Sequence, residues 1–135
     1  MTERATFSIE GKEYTITHVD TSVVKEGVAC DVFRFTDRTD VDLGVVTVAP
    51  EVSTPLQRVI EGEATLEGFI DGSGTLEVVR KATGEIEEYT FPGEHTEVTV
   101  SIGDVMQWTA GPNGLEFYEL CWPPYEDGRF EDLSN

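Results

Sequence analysis

Histidine is scarce in this sequence of 135 residues, which contains only His18 and His95. The two lie far apart along the chain, and each is expected to be a surface or packing residue. Sites for iron, manganese, nickel or zinc draw on histidine and cysteine ligands, so a three-histidine site cannot be assembled within one chain. No metal or other cofactor is therefore expected. Carboxylates remain as oxygen ligands for Ca²⁺ or Mg²⁺, although the acidic residues follow no recognised loop spacing.

Basic residues are also few, because nine Lys and Arg oppose 27 Asp and Glu for a net charge of −18. Binding to nucleic acid or to an anionic membrane depends on basic side chains that neutralise phosphate. Both are therefore excluded as partners. The acidic residues are scattered rather than collected in a tail, which is typical of a folded protein with an acidic surface. A salt-rich cytoplasm, whose ions screen the repulsion, and an ordinary acidic protein both fit this composition.

The sequence has no long apolar run. None approaches the ~20 residues of a membrane-spanning helix, and the first residues lack the apolar region of a secretory signal. A cytoplasmic location is expected by default. Cysteine is limited to Cys30 and Cys121, which lie far apart. Two free, partly buried thiols are favoured over a disulfide.

What the sequence does contain is a succession of short β-type segments. Apolar and polar residues alternate with a period of two, and clusters of Gly, Pro, Asn and Asp separate the segments. No helical period longer than a turn is found. The pattern predicts an all-β sandwich or barrel in a single domain, residues 1–135, that begins with a hairpin. The predicted strands are 5–10, 13–19, 28–35, 41–48, 54–60, 64–70, 75–80, 85–91, 94–102, 105–109 and 115–122.

Glycine and turn residues mark the predicted breaks between these strands. A connection is expected at 20–27, and turns are expected at 71–74 and 110–114. Gly44 interrupts a β-branched strand, which indicates a bulge or a close approach of another group. After the last strand, an irregular tail begins at Pro123 and contains enough apolar side chains to pack back on the domain.

Two segments resemble the conserved motifs of the cupin family. Pro55, a short strand, a turn and Gly-Phe-Ile-Asp-Gly-Ser-Gly at 68–74 resemble the first motif. Ser-Ile-Gly-Asp-Val-Met-Gln-Trp-Thr-Ala-Gly at 101–111, followed by a strand, resembles the second. The two lie in the family's order, and the resemblance covers residues 40–122. It implies a double-stranded β-helix, or jelly-roll, barrel with a pocket at its mouth. Cupins often pair, so a homodimer is expected.

The histidine ligands of the cupin motifs are absent. The family's first motif carries two histidines and a glutamate, and its second carries a histidine and an asparagine. The matching positions hold other residues: Gln57, Val59 and Thr65, then Gly114 or Leu115, and Tyr118 or Glu119. The resemblance therefore implies a cupin without the usual metal, with an oxygen-ligand site as the alternative.

The residues that remain as candidates for a ligand pocket are Gln57, Val59, Thr65, Trp108, Tyr118, Glu119 and Arg129. Gln57 would be a neutral donor and acceptor where the family has a ligand, and simple barrel filling is the alternative. Glu119 is the candidate general acid or base, because burial in an apolar barrel raises the pKa of a carboxyl group. A rim position or an ion pair is the alternative for Glu119.

Aromatic and basic residues complete the predicted pocket. Trp108, Tyr118 and Trp122 would form a wall for a sugar-like ligand, unless they belong only to the core. Arg129 would either clasp the tail to the barrel through a carboxylate or bind an anionic ligand.

These observations favour a metal-free cupin that binds a small organic or sugar-like ligand. One alternative is a cupin-type enzyme, a sugar isomerase, epimerase or lyase, that uses Glu119 and Gln57. Another is a structural or interaction barrel with no pocket. An open interior would favour the first two, and an enzyme further requires polar titratable groups that converge inside it.

Overall fold

The computed structural model describes residues 6–9, 11–36, 38, 40–59, 64–122 and 130–132. Their regular structure is entirely β and forms one antiparallel sheet of ten strands. The strands are β1 (Thr6–Ile9), β2 (Lys12–Lys25), β3 (Val28–Phe35), β4 (Asp42–Val48), β5 (Gln57–Val59), β6 (Ala64–Val79), β7 (Ile86–Phe91), β8 (Glu97–Ser101), β9 (Val105–Trp122) and β10 (Phe130–Asp132). Within this part of the chain there is no helix of the length and apolarity that crossing a membrane requires.

Two long strands, β6 and β9, connect two halves of the sheet. The first part of β6, 64–72, pairs with 115–122 of β9, whereas 74–79 pairs with 105–110. One half has the order β1-β2-β3-β4-β9-β6-β8, and the other has the order β10-β5-β9-β6-β7. Apolar side chains from both halves meet in one core, so the halves face each other as in a jelly roll. The all-β jelly-roll fold predicted from the sequence is confirmed.

The long strands bend where glycines allow two backbones to approach closely. Gly72 and Gly114 have φ angles of +84° and +81°, which residues with a side chain rarely adopt. A Cβ atom on Gly72 would lie 2.2 Å from the carbonyl oxygen of Gly114, so another residue would displace the backbone. The turns predicted at 71–74 and 110–114 are wrong: both segments are bends inside continuous strands, because β6 and β9 pair on either side of them.

Apolar residues form two clusters, one on each face of the half of the sheet that contains β1–β4. The inner cluster, between the halves, contains Val28, Val46, Val48, Val59, Leu76, Val78, Phe91, Val98, Val100, Met106, Trp108, Ala110, Leu115 and Phe117. The outer cluster, under the β1–β2 hairpin, contains Phe7, Ile16, Phe33, Phe35, Val41, Leu43, Val45, Tyr118 and Leu120. Neighbouring residues of a strand face opposite ways, which divides a single strand such as β4 between the clusters. The predicted N-terminal hairpin is confirmed, and it covers the outer cluster.

Some predicted strand boundaries differ from the structure. The connection expected at 20–27 is strand for most of its length, because β2 continues beside β3 as far as Lys25. The strand expected from residue 54 begins only at Gln57. The tail, which was expected to be irregular, contains β10, which pairs with β5. Residues 123–129 of that tail lie outside the described residues.

Asp104 joins the β6–β7 hairpin to the turn between β8 and β9. Its carboxylate accepts hydrogen bonds from the backbone N–H groups of Lys81 and Ser101, at 2.9 and 3.0 Å, and from Nη1 of Arg80 at 2.9 Å. Arg80 also pairs with Glu87 at 2.9 Å. Burial favours the neutral form of Asp104, but the three donors outweigh it and hold its pKa below the usual range. Asp104, the aspartate of the Gly-Asp pair in the second motif, therefore forms a structural cross-link.

Replacing Asp104 by Ala should lower the free energy of unfolding by roughly 3 kcal/mol, because it leaves two backbone N–H groups without their acceptor and removes one of the two carboxylate partners of Arg80. Asp40 is the matched control, since it pairs with Arg38 at 2.8 Å on the exposed surface and should matter much less. Urea unfolding followed by circular dichroism measures both variants. Equal losses for D104A and D40A would contradict the cross-link.

Candidate functional site

A cavity of about 650 Å³ lies against the inner cluster, with walls from β2, β3, β4, β5 and β9. Its apolar wall includes Val28, Val46, Met106, Trp108 and Phe117. Its polar and titratable wall includes Asp20, Ser22, Cys30, Arg34, Asp42, Thr54, Gln57, Glu119 and Cys121. The interior is thus not completely filled by side chains, and several polar groups converge on the open space.

Two glutamates oppose each other across the β6–β9 pairing at this cavity. Glu119 lines the cavity, and its register partner on β6 is Glu67, whose side chain is fully buried. On β4 the register partner of Glu119 is Gly44, in regular pairing rather than a bulge. A Cβ atom on Gly44 would lie 3.3 Å from Sγ of Cys30 and 4.0 Å from Oε1 of Glu119. The absence of a side chain at Gly44 therefore keeps the space beside Glu119 open.

Trp108 holds the buried glutamate in place. Its Nε1 donates a hydrogen bond to Oε1 of Glu67 at 2.9 Å. The indole stacks on Phe117 with ring centroids 4.3 Å apart, and the backbone N–H of Trp108 donates to Oγ1 of Thr54 at 3.0 Å. Because the tryptophan is held on both sides and is only 1% exposed, its N–H remains directed at Glu67.

The side chain of Glu67 is fully buried, and its surroundings favour the neutral form of its carboxyl group. Burial raises its pKa well above the ordinary 4.5, and the Glu119 carboxylate raises it further, both by its charge and by accepting the Glu67 proton. The Trp108 N–H and the neighbouring Thr65 hydroxyl act in the opposite direction. Oε2 of Glu67 is buried and has no partner in hydrogen-bonding geometry among the described residues. A proton shared between the two glutamates would reduce the charge of the pair from two to one.

The two cysteines on the cavity wall are free thiols. Burial, followed by the negative charge of Glu119, raises the pKa of Cys30 to about 12. The thiolate, rather than the thiol, is the nucleophilic form of cysteine. Cys30 is therefore a neutral wall residue at ordinary pH and not an activated nucleophile.

The remaining charges on the cavity wall are mostly negative. Arg34 lies with Nε 4.0 Å from Oδ1 of Asp42, and its side chain is 68% exposed. Asp20 accepts a hydrogen bond from the backbone N–H of Thr21 at 2.9 Å. Of the lining residues that the structure describes, none is a lysine or a histidine. Acidic groups thus outnumber basic ones around the open space.

Three of the predicted pocket residues lie on this wall: Gln57, Trp108 and Glu119. Val59 and Thr65 are instead fully buried, away from the lining. Arg129 lies outside the described residues. Whether any of these residues binds a ligand remains a prediction.

Tyr118, also predicted in the pocket, lies on the opposite face of β9. It belongs to the outer cluster, because neighbours on a strand alternate and Glu119 faces inward. Its ring lies over Gly68, where a Cβ atom would approach Cζ of Tyr118 to 2.1 Å, and its hydroxyl donates to Oε2 of Glu97. The aromatic wall expected from the sequence is thus supplied by Trp108 and Phe117, and the side chain of Trp122 is outside the described part.

Sequence reasoning misses Glu67 altogether. On β6, Thr65, Glu67 and Phe69 face the inner side, whereas Leu66 and Ile70 pack against the outer cluster. Both faces of this part of the strand are covered, so alternation alone does not distinguish a core glutamate from a surface one. The sequence shows only a glutamate between residues that are themselves buried or partly buried. Its importance depends on Glu119, the residue opposite it on β9.

The residues at the cupin metal positions do not fit a transition metal. Val59 and Leu115 belong to the inner apolar cluster, while Gln57 and Thr65 offer only neutral oxygen or nitrogen atoms. Across residues 6–132, as far as they are described, no group of three or more His, Cys, Asp or Glu could hold a metal ion. The glutamate pair supplies fewer oxygen ligands than calcium usually takes.

Several solved structures share the fold of this chain although their sequences are only 14–15% identical to it. Bacillus subtilis oxalate decarboxylase superimposes on 98% of this chain with a TM-score of 0.72 and 15% identity, and 33% of its own chain is covered. Lactobacillus farciminis oxalate decarboxylase also superimposes on 98% of this chain, with a TM-score of 0.68 and 14% identity, and 37% of its own chain is covered. CapF matches 78% of this chain with a TM-score of 0.60 and 14% identity, over 32% of its own chain. No protein-family model and no curated protein sequence matches.

The chain therefore has the cupin fold, as its two motifs predicted. It spans about a third of the length of the oxalate decarboxylase chains. At these identities the similarity establishes the fold and not the reaction. The homodimer and the cytoplasmic location expected from the sequence remain predictions.

Replacing Glu67 by Gln should change how stability depends on pH. Because the folded protein binds the Glu67 proton more tightly than the unfolded chain, wild-type stability relative to E67Q should fall as pH rises above 4.5, the ordinary glutamate pKa. The difference should decrease by up to about 1.4 kcal/mol per pH unit, and become constant above the folded-state pKa. Urea unfolding across a pH series measures it.

The control for this experiment is Glu77→Gln, which removes an exposed glutamate from the same strand. E77Q should follow the wild-type pH profile, because both keep the buried carboxyl group. A wild-type curve parallel to that of E67Q would mean that folding does not raise the pKa of Glu67.

Proposed function

We propose that this protein binds a small organic ligand in the cavity without the help of a metal. The observation that supports this function is an open space with an apolar wall on one side and the Glu119 carboxylate on another. Its volume of about 650 Å³ falls within the range of small-molecule sites, which are mostly apolar with a few convergent polar groups. Apolar contact would provide the affinity, while Glu119 and Gln57 would orient the ligand.

A catalytic role in proton transfer is the second candidate, and the carboxyl pair favours it. Glu119 borders the cavity, and as a carboxylate it would accept a proton from a bound molecule. Glu67 would share that proton and so stabilise each protonation state. Isomerases, epimerases and lyases of sugars use such a step, and this is the reaction class that we assign to the second candidate. The oxalate decarboxylases with the same fold are enzymes, which is consistent with it.

A side chain introduced at Gly44 should block ligand binding. Gly44→Val would project into the space between Cys30 and Glu119. Thermal-shift screening of a library of sugars, sugar acids and small organic molecules would identify ligands of the wild type, since binding to the folded state raises the melting temperature. In G44V the dissociation constants of these ligands should rise by about tenfold or more, which corresponds to a loss of about 1.4 kcal/mol in binding free energy.

Thr47→Val is the matched control, because residue 47 lies on the same strand with its side chain exposed. T47V should bind like the wild type. Binding should also survive treatment with EDTA, and elemental analysis should find no stoichiometric transition metal. Ligands that bind G44V and wild type equally, or that EDTA removes, would contradict the proposed site.

A further inference from the structure

The charges around the cavity select among ligand classes. Glu119 lies on its wall with Glu67 behind it, and Asp20 and Asp42 also line it. The basic lining residue that the structure describes is Arg34, which is largely exposed and lies near Asp42. An anionic ligand would meet net repulsion here, whereas a cation would gain a favourable field in a site with apolar walls.

The apolar part of the cavity wall lies around the same space as the Glu119 carboxylate. Met106, Trp108 and Phe117 border the same space as Glu119, so a ligand that contacts the carboxylate also meets hydrocarbon and aromatic surface. Gly44 leaves the position next to Glu119 uncovered. A ligand with a compact charged end and an apolar body would contact both parts at once.

We propose that the ligand is a primary organic ammonium compound whose charged group is received by Glu119, with Glu67 as the positioning residue behind it. This inference rests on the proposed function and names the ligand class for the same site. An ammonium group has only hydrogen-bond donors, and the Glu119 side chain on the cavity wall offers carboxylate oxygens that accept them.

Glu67 acts through its neighbour rather than by contact with the ligand. It does not line the cavity, but it opposes Glu119 in the strand pair and is held by the Trp108 N–H. By carrying the shared proton, it donates to the Glu119 carboxylate, fixes its orientation and leaves it ionised. The cavity therefore presents one oriented negative charge instead of two that repel each other.

The test compares matched ligands that differ only in charge. Benzylamine, benzyl alcohol and benzoate, together with the butyl series of amine, alcohol and carboxylate, are titrated into isotopically labelled protein at neutral pH. Chemical-shift changes of residues 44, 57 and 119 report binding in the cavity. The amines should bind at least about tenfold more tightly than the matched alcohols, and the carboxylates should bind least. Added salt should reduce the preference for amines.

Variants of the glutamates separate recognition from folding. Glu119→Gln should abolish the preference for amines, whereas the exposed-site variant E77Q should retain it. Glu67→Gln should also retain it, because an amide can donate to Glu119 and accept from Trp108, while Glu67→Leu should weaken amine binding. Melting temperatures and near-ultraviolet circular dichroism establish that each variant is folded.

The outcomes distinguish this inference from the proposed function. If alcohols or carboxylates bind in the cavity as tightly as the amines, the ammonium assignment is wrong while the binding function stands. If no amine shifts the cavity residues although library compounds do, the assignment is likewise wrong. If neither these probes nor the library binds in the cavity, the binding function itself fails. Amine binding that persists unchanged in E119Q would also overturn the assignment. The comparison of amines with alcohols and carboxylates is made in the wild type and depends on no variant.

Discussion

The antiparallel pairing of β6 with β9 is the contact on which the rest of this structure depends. Both strands pass through the two halves of the sheet, and they do so by bending together where Gly72 meets the carbonyl oxygen of Gly114. This single register places Glu67 opposite Glu119 and Thr65 opposite Cys121. A shift of one residue would turn every inward side chain to the other face, so the inner cluster and the glutamate pair are determined by the same pairing.

The glutamate pair has an energetic cost that the surrounding packing offsets. A buried carboxylate without compensating donors is strongly unfavourable, and proteins commonly avoid the cost by retaining a proton. Here Trp108 supplies one hydrogen bond to Glu67, and burial together with the charge of Glu119 raises the pKa of Glu67, which favours retention of its proton. An arrangement of this kind contributes little to stability compared with apolar residues of the same size. Its position beside an open cavity is the physical reason to associate it with function.

The comparison with other cupin folds separates the scaffold from its chemistry. The glycine bends and the Asp104 cross-link hold the strands of this chain in their arrangement. At the metal positions of the family, the same frame carries apolar residues such as Val59 and Leu115, packed in the inner cluster. Next to the cavity, this chain instead has the Glu67–Glu119 pair, which the pairing of β6 with β9 brings together.

The sequence by itself determined the all-β class, the N-terminal hairpin and the cupin motifs, because alternation and turn residues are local properties. It left the inward face of the last strand open, since Tyr118 and Glu119 were both pocket candidates, and only the pairing of β9 with β4 and β6 decides between them. It also identified Gln57 and Trp108 as cavity residues. It could not distinguish a turn from a bend at 71–74 and 110–114, since glycine permits both and only the partner strand decides. Glu67 acquired its role solely from the tertiary structure. Its neighbour Glu119 lies 52 positions away and is brought opposite to it by β9, and its burial and its contact with Trp108 likewise depend on the packed core.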